Sequence, residues 1–386
     1  MMMRRLPTIL SALAAAAGLL AGAEASAESM DLRSALATVP ASAASGDTIL
    51  AQMLDLSAAR RLVAADVKDR PIPRRFSISG RPLEALASSG GADWEPLVGL
   101  PLSRIAGFVS YGAAPDAATV WVMEDEAAAE AVFDGLAARG FSKTPDGVMI
   151  NGEPETVDFE KAQPDNPWLG ANGTPSAVSR DGRLLVQANR PDMVTAPALA
   201  TATLNLTSVP PVDTLLAGIG QALGQDTAVI QAIVTTDAIG VGSGSLDISK
   251  PLQDAIGEKQ QQISADRASG LPPYSLALIA DIEDPGSKRR GMAVAFAYAD
   301  CATAEIGASR FAARWKTIPT GRTDFTFAEM VPSDLETRTV QAAGGCAAVI
   351  VAMFAAPADG NLENILFRWG VNSILNRAFT PATIAR

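Results

Sequence analysis

The residue types that most often carry catalysis are scarce in this chain. It holds no histidine and two cysteines among 386 residues. Without an imidazole there is no common general base, no usual zinc ligand and no Ser-His or Cys-His nucleophile pair. No serine has glycine two positions before and after it, and no lysine follows a serine by three, so the nucleophile elbow and the SxxK arrangement are absent too. The composition therefore favours a non-catalytic protein without a metal or a cofactor.

Carboxylates are the catalytic groups that remain. Two of the 42 Asp and Glu residues could face each other across a cleft, as glycoside hydrolysis requires. The densest group is Asp281, Glu283 and Asp284, which also suits a calcium ion. We favour a turn between two strands there, with the acids balanced by the cations at positions 288–290. A carboxylate-dependent hydrolase acting on envelope glycan is thus the enzymatic alternative.

The two cysteines, Cys301 and Cys346, predict a disulfide. An even number of cysteines in an exported protein favours pairing. The alternative is two buried, reduced thiols. A catalytic pair is disfavoured because the chain has no CxxC spacing.

The first residues have the pattern of a signal peptide. Arg4 and Arg5 precede an apolar run over positions 9–21, and Ala25-Ser26-Ala27 matches the small-x-small cleavage rule. We expect cleavage near Ala27 and a periplasmic or secreted protein; the alternative is an N-terminal anchor that is kept. No internal stretch reaches the ~18 apolar residues of a membrane-spanning helix.

Charge limits the choice of partners. The net charge of −11 makes nucleic acid a poor partner. One segment, between positions 60 and 81, is locally basic and predicts a weak contact with an anionic membrane surface. The alternative is a solvated linker that packs on the protein's own carboxylates. The cations predicted to make the membrane contact are Arg60, Arg61, Lys68, Arg70, Arg74 and Arg75.

Two aromatic features are candidate binding sites. Asn166 and Trp168 lie in a turn-rich loop, where a tryptophan can anchor a ligand or a protein, or can instead fill the core. Phe367 and Trp369 lie in a predicted C-terminal helix over positions 362–379 with apolar residues on several faces. That helix either runs between two domains or leaves a face for a partner, which we expect to be another envelope protein or a second copy.

The elements that must position these residues follow a recurring order. Strands are predicted over 105–111 and 118–123, a helix over 125–139, and a hairpin of strands over 176–180 and 184–188. A similar order returns with strands over 276–282 and 291–298 and a helix over 300–316 that Asp300 caps. Short strands are further predicted over 148–151, 157–159, 325–330 and 347–354, and helices over 47–67, 212–223, 227–239 and 251–267.

The predicted fold class is α+β, with two similar domains joined by a helical connector. Each domain is an antiparallel sheet with a helix packed on one face, in strand-turn-strand-helix-strand order. The predicted divisions are a signal peptide (1–27), a helical segment and basic linker (28–104), a first α+β domain (105–205), the connector (206–270) and a second α+β domain with the C-terminal helix (271–386). The predicted function is that of an exported, non-catalytic binding or interaction protein; the alternatives are the glycan hydrolase and a small-ligand carrier.

Overall fold

The structure of the protein is a computed structural model. Apart from a few isolated positions between 253 and 264, it describes residues 30–44, 50–62, 76–78, 80–89, 94–113, 116–194, 205–224, 226–236, 268–320, 325–356, 363–376 and 378–385. The predicted signal peptide, a glycine-rich stretch over positions 240–244, and Lys68, Arg70, Arg74 and Arg75 lie outside these ranges.

The strands of the described residues form one sheet. They are β1 (Leu50–Asp55), β2 (Ile105–Tyr111), β3 (Ala118–Met123), β4 (Ser142–Lys143), β5 (Met149–Ile150), β6 (Ala177–Asp181), β7 (Leu184–Ala188), β8 (Ala228–Thr235), β9 (Leu276–Asp284), β10 (Arg289–Tyr298), β11 (Asp334–Ala342) and β12 (Gly345–Ala355). Their spatial order is β11-β12-β10-β9-β8-β1-β2-β3-β7-β6-β5-β4, and all neighbours are antiparallel.

Helices cover both faces of this sheet. In the described ranges they are α1 (Leu32–Ala37), α2 (Leu56–Arg61), α3 (Arg81–Ser89), α4 (Trp94–Val98), α5 (Glu126–Gly135), α6 (Pro210–Ala222), α7 (Cys301–Thr317), α8 (Phe327–Met330) and α9 (Ile365–Leu375). Helices α1 and α6 lie on one face, which we call the α1/α6 face. The remaining helices lie on the other, the α5/α7 face. The predicted α+β class is therefore confirmed.

The best-predicted elements are those with clear periodicity and caps. Strands β2 and β3 have the predicted bounds. Helix α5 follows Asp125, whose carboxylate accepts a hydrogen bond from the backbone N–H of Ala128 at 2.7 Å. Helix α7 follows Asp300, which caps the N–H of Thr303 at 2.8 Å, as predicted. Local capping chemistry thus fixes the start of both helices.

Two predicted helical segments are strands instead. Residues 227–239 were expected to be helical but contain β8, and the predicted helical segment 47–67 contains β1 before α2 begins. Both strands lie in the middle of the sheet and are buried on both faces, so apolar residues occupy nearly every position. A short apolar run of this kind does not reveal its period. Since β1 and β8 pair with each other, they join two sheets that were predicted as separate.

Two of the short segments that were predicted as strands are not strands. Residues 325–330 were predicted as a strand but contain α8. Thr326 and Glu329 cap the N-terminus of this helix with a reciprocal capping box. The predicted strand over 157–159 is absent; a 3-10 turn, Phe159–Lys161, begins there. Strand β11 was missed because most of its residues are polar and exposed at the edge of the sheet.

The predicted cysteine pair lies at disulfide distance. Cys301 is the first residue of α7, Cys346 lies on β12, and their sulfur atoms are 2.10 Å apart. The bond ties the helix to the strand beneath it and closes a loop of 45 residues.

Removing this cross-link should lower stability without changing the fold. The double variant Cys301→Ser, Cys346→Ser should lose about 4 kcal/mol of unfolding free energy, because the 45-residue loop regains its freedom in the unfolded chain. Urea denaturation measures the loss. Wild-type protein treated with dithiothreitol is the control and should match the double variant; equal stability with and without reductant would contradict the prediction.

Candidate functional site

A polar cleft opens on the α5/α7 face, between α3 and the segment 169–174. Its volume is about 430 Å³. Its floor comes from strands β1, β2, β3 and β7, which are neighbours in the sheet. The lining residues are Leu50, Gln52, Gly80, Arg81, Glu84, Ser110, Tyr111, Gly112, Ala113, Ala117, Thr119, Leu169, Gly170, Ala171, Asn172, Thr174, Gln187, Ala188 and Asn189. Most of the longer side chains in this lining are polar.

The floor of the cleft is a row of polar residues that crosses four strands. Gln52 lies opposite Ser110, Ser110 opposite Thr119, and Thr119 opposite Gln187. The hydroxyl oxygens of Ser110 and Thr119 are 3.0 Å apart. Because side chains of a strand alternate between faces, this row lies on the α5/α7 face, two residues along each strand from an apolar row. We call these four residues the floor row.

The neighbouring apolar row supports one wall of the cleft. It consists of Leu54, Phe108, Trp121 and Leu185, which are paired across the same four strands. The ring of Trp168 stacks on that of Trp121, with centroids 4.8 Å apart and planes 2° from parallel. Trp168 also donates from Nε1 to the carbonyl oxygen of Leu97 at 3.0 Å. The tryptophan therefore holds the segment 165–173 against the sheet.

Gln187 and Ser176 connect this wall to the floor through hydrogen bonds. Gln187 donates to the carbonyl oxygen of Pro167 at 2.6 Å and to Ser176 Oγ at 2.8 Å, and it accepts from Trp121 Nε1 at 2.9 Å. Ser176 Oγ in turn donates to the carbonyl oxygen of Trp168 at 2.8 Å. These buried groups are paired with one another, which makes the wall rigid.

Arg81 is the cation of the cleft. Its Nη1 donates to the carbonyl oxygens of Thr174 and Pro175 at 3.0 and 3.1 Å and to Ser176 Oγ at 2.9 Å, while Nη2 donates to Asn189 Oδ1. Burial lowers the pKa of Arg81 to about 10, and Glu84 opposes that shift. The guanidinium is still charged at neutral pH, since its pKa remains well above 7.

Helix α3 approaches the floor closely at its start. An added Cβ on Gly80 would lie 2.6 Å from Ser110 Oγ, so the glycine lets α3 and its Arg81 reach the floor row. On the opposite wall, Gly170 has φ +65°, a left-handed conformation that glycine adopts without strain. An added Cβ there would lie 3.9 Å from Arg81 Nε. Gly80 thus leaves space for the Ser110 hydroxyl, and Gly170 leaves space beside the Arg81 side chain.

The four predicted binding residues fall in two separate places. Trp168 is 2% exposed and fills the core, which supports that alternative from the sequence. Asn166 shapes the preceding turn, because its Oδ1 accepts from the N–H of Trp168 at 2.9 Å. Phe367 is buried in α9 and Trp369 is half-buried there. Helix α9 packs on β10, which four strands separate from the β3 strand beneath Trp168, so the two pairs do not form one site.

The most exposed apolar residues of the loop that carries Trp168 are not the predicted binding residues. Phe159 is 74% exposed and Val157 is 54% exposed. They lie in the same long connection between β5 and β6 that carries Trp168. The sequence predicted a short strand over 157–159 and did not predict that Val157 and Phe159 are exposed.

The acidic group around Asp281 is divided between the core and a turn. Asp281 is buried and accepts from Gln231 at 2.9 Å and from Asn364 at 2.7 Å, and Glu283 is ion-paired with Arg290 at 3.3 Å. Asp284 binds its own turn, where hydrogen bonds from Ser287 lower the pKa of the carboxyl. Among the described residues, no group of three or more His, Cys, Asp or Glu could hold a metal ion.

The basic segment is described only in part. Arg60 donates to the carbonyl oxygens of Leu102 and Ile105, both at 3.0 Å, and to Ser57 Oγ at 3.1 Å. Its guanidinium therefore donates to the backbone and a hydroxyl of the protein itself, whereas the linker alternative named carboxylates, and Arg61 is exposed. Within the described ranges, no helix is long and apolar enough to cross a membrane.

Comparisons of the chain with protein-family models, curated proteins and solved structures find no match. The site must therefore be interpreted from its own geometry.

The burial of Trp168 and the exposure of Phe159 predict a large loss of stability for one alanine variant and almost none for the other. Trp168→Ala should cost about 3–5 kcal/mol of unfolding free energy, because it removes a buried indole, its stack and its hydrogen bond. Phe159→Ala is the matched control in the same loop and should change stability by less than about 0.5 kcal/mol. Urea denaturation compares the two variants, and equal effects would contradict the described packing.

Proposed function

We propose that this is an exported, non-catalytic binding protein whose small polar ligand occupies the cleft. The observation that carries the proposal is a cleft whose described lining has a rigid wall, a neutral polar floor and a half-buried cation, Arg81. Polar side chains that converge on a concave site are typical of ligand recognition. The geometry therefore favours a small ligand, which the sequence offered as an alternative to the predicted interaction protein.

Nothing in the described lining supports catalysis. Glu84 is the one carboxylate among the lining residues, so the acid pair of a glycoside hydrolase is not found in this cleft. The Ser110 hydroxyl is hydrogen-bonded to Thr119, which is not a base that could activate it. The hydrolase alternative therefore gains no support here.

The export of the protein is part of the same proposal. It rests on the cationic and apolar pattern of positions 4–21 and on the small residues before Glu28. The cysteine pair at disulfide distance is compatible with an oxidising compartment such as the periplasm.

We also propose that the two halves of the sheet are copies of one unit. The order β1-β2-β3-β7-β6 in one half corresponds to β8-β9-β10-β12-β11 in the other. In each half a helix, α5 or α7, follows the third strand. The β4-β5 hairpin and the long loop after it are additions of the first half, and this half also holds the cleft.

A blocked cleft should abolish binding. Ala171 is exposed and lines the cleft, so Ala171→Trp should obstruct the cleft without disturbing the core. Ala127→Trp, on an exposed position of α5 outside the lining, is the matched control. Saturation-transfer NMR with a library of sugars, organic acids, amino acids, polyols and nucleosides should find a class of compound that binds the wild type and the control but not Ala171→Trp.

Two results would count against this function. One is that no compound class binds the mature protein at millimolar concentration. The other is that every compound that binds does so equally well to Ala171→Trp.

A protein partner is the second candidate, which the exposed Phe159 favours. An aromatic side chain that is 74% exposed is a common anchor for a protein interface. The partner is proposed to be another envelope protein or a second copy. Crosslinking and affinity purification with wild type should recover this partner, and Phe159→Ala should lose it while Phe325→Ala, at another exposed position, keeps it. Recovery with both variants would exclude Phe159 as the contact.

A further inference from the structure

The hydrogen bonds of Arg81 leave Nε–H, and one of the two N–H groups of Nη2, without an acceptor among the described residues. Its four hydrogen bonds engage Nη1 and Nη2. Gly170 lies beside Nε without a side chain. A ligand oxygen can therefore approach this donor from the cleft.

The charge of Arg81 is not neutralised by contact with an acid. All four acceptors are neutral: two carbonyls, a hydroxyl and a side-chain amide. No carboxylate lies within 4.0 Å of the guanidinium in the described part of the chain, and Glu84 is exposed at the cleft. A half-buried cation with only neutral partners favours an anionic ligand group, above all a carboxylate, which guanidinium binds well.

The rest of the lining suits hydroxyl groups. Within the floor row, Ser110 and Thr119 supply two hydroxyls and Gln52 supplies an amide, while both amide N–H groups of Gln187 are already donated to Pro167 and Ser176. Asn172, Thr174 and Asn189 extend the polar surface up the walls. Hydroxyls and amides both donate and accept, as the hydroxyls of a ligand do. Large exposed apolar side chains are not part of the described lining.

We propose that the cleft binds a sugar acid, a small polyhydroxylated carboxylate. Its carboxylate accepts from Nε–H of Arg81, and its hydroxyls bond the floor row and the polar walls. This ligand class rests on the proposed binding function and makes it more specific.

Matched probes test the class directly. D-glucuronate, D-galacturonate and D-gluconate differ from D-glucose, D-galactose and D-glucitol by the carboxylate. Saturation-transfer NMR on the mature protein should show that at least one acid binds about tenfold or more tightly than its neutral counterpart. This ratio is measured on the wild type, so it does not depend on any variant folding.

Variants then locate the carboxylate. Arg81→Gln should weaken binding of that acid at least about tenfold. Arg139→Gln is the matched control, because Arg139 also donates to backbone carbonyls, of Leu97 and Gly135, but lies outside the lining; it should bind like the wild type. Glu84→Gln should strengthen binding about twofold, since it removes a negative charge at the cleft.

The pH profile supplies a further readout. The acids are ionised from about pH 5 upward. Binding should stay constant between about pH 5 and pH 9, and should fall as the pH drops below about 4, because the carboxylate of the ligand is then protonated and no longer accepts from the Arg81 cation. The neutral sugars should show no such fall.

The failures of the two proposals can be told apart. If no acid binds, if the neutral sugars bind equally well, or if Arg81→Gln binds like the wild type, the sugar-acid assignment is overturned. If another class of compound then binds and Ala171→Trp abolishes it, the binding function still holds. If no compound binds at all, both proposals fail.

Discussion

The pairing of β1 with β8 holds the molecule together. These two strands lie at the centre of the sheet, with Met53 opposite Ala232, and each continues into one half of the strand order. Their residues contribute to the apolar cores on both faces. Because the two cores each contain residues from both halves, neither half can bury its apolar surface as completely without this central pair.

The central pair also sets the position of the cleft. Strand β1 supplies Gln52, the first residue of the floor row, and the remaining floor residues follow from the register of β2, β3 and β7. A shift of one residue at any of these pairs would turn a polar side chain to the other face. The cleft is therefore a property of the sheet register, while the stacked tryptophans and Arg81 fix its walls.

The sequence predicted the elements whose signals are local. Strands β2 and β3, helices α5 and α7, the cap Asp300 and the cysteine pair all follow from short patterns. It did not predict β1 and β8, because strands buried on both faces lack the alternation that identifies a strand. The single sheet was missed for the same reason, since only those two strands connect the halves.

The site was harder to predict because its residues are distant in the chain. Arg81 was part of a basic segment with no sign that it reaches a cleft. A signal for the floor row was nevertheless present: Ser110, Thr119 and Gln187 are polar residues within otherwise apolar strands. A polar group that is buried by a sheet needs a hydrogen-bond partner. A polar residue within an otherwise apolar predicted strand therefore indicates a polar site, and this signal can be found in the sequence alone.

The two edge strands of the sheet affect whether strands of other molecules can pair with it at high concentration. Strand β11 is long, but it is mostly exposed and carries Glu336 and Arg338, while β4 at the opposite end has two residues, Ser142 and Lys143. A charged strand and a very short one are both poor templates for the addition of a further strand. Both edges of the twelve-stranded sheet are thereby protected from the addition of strands of neighbouring molecules.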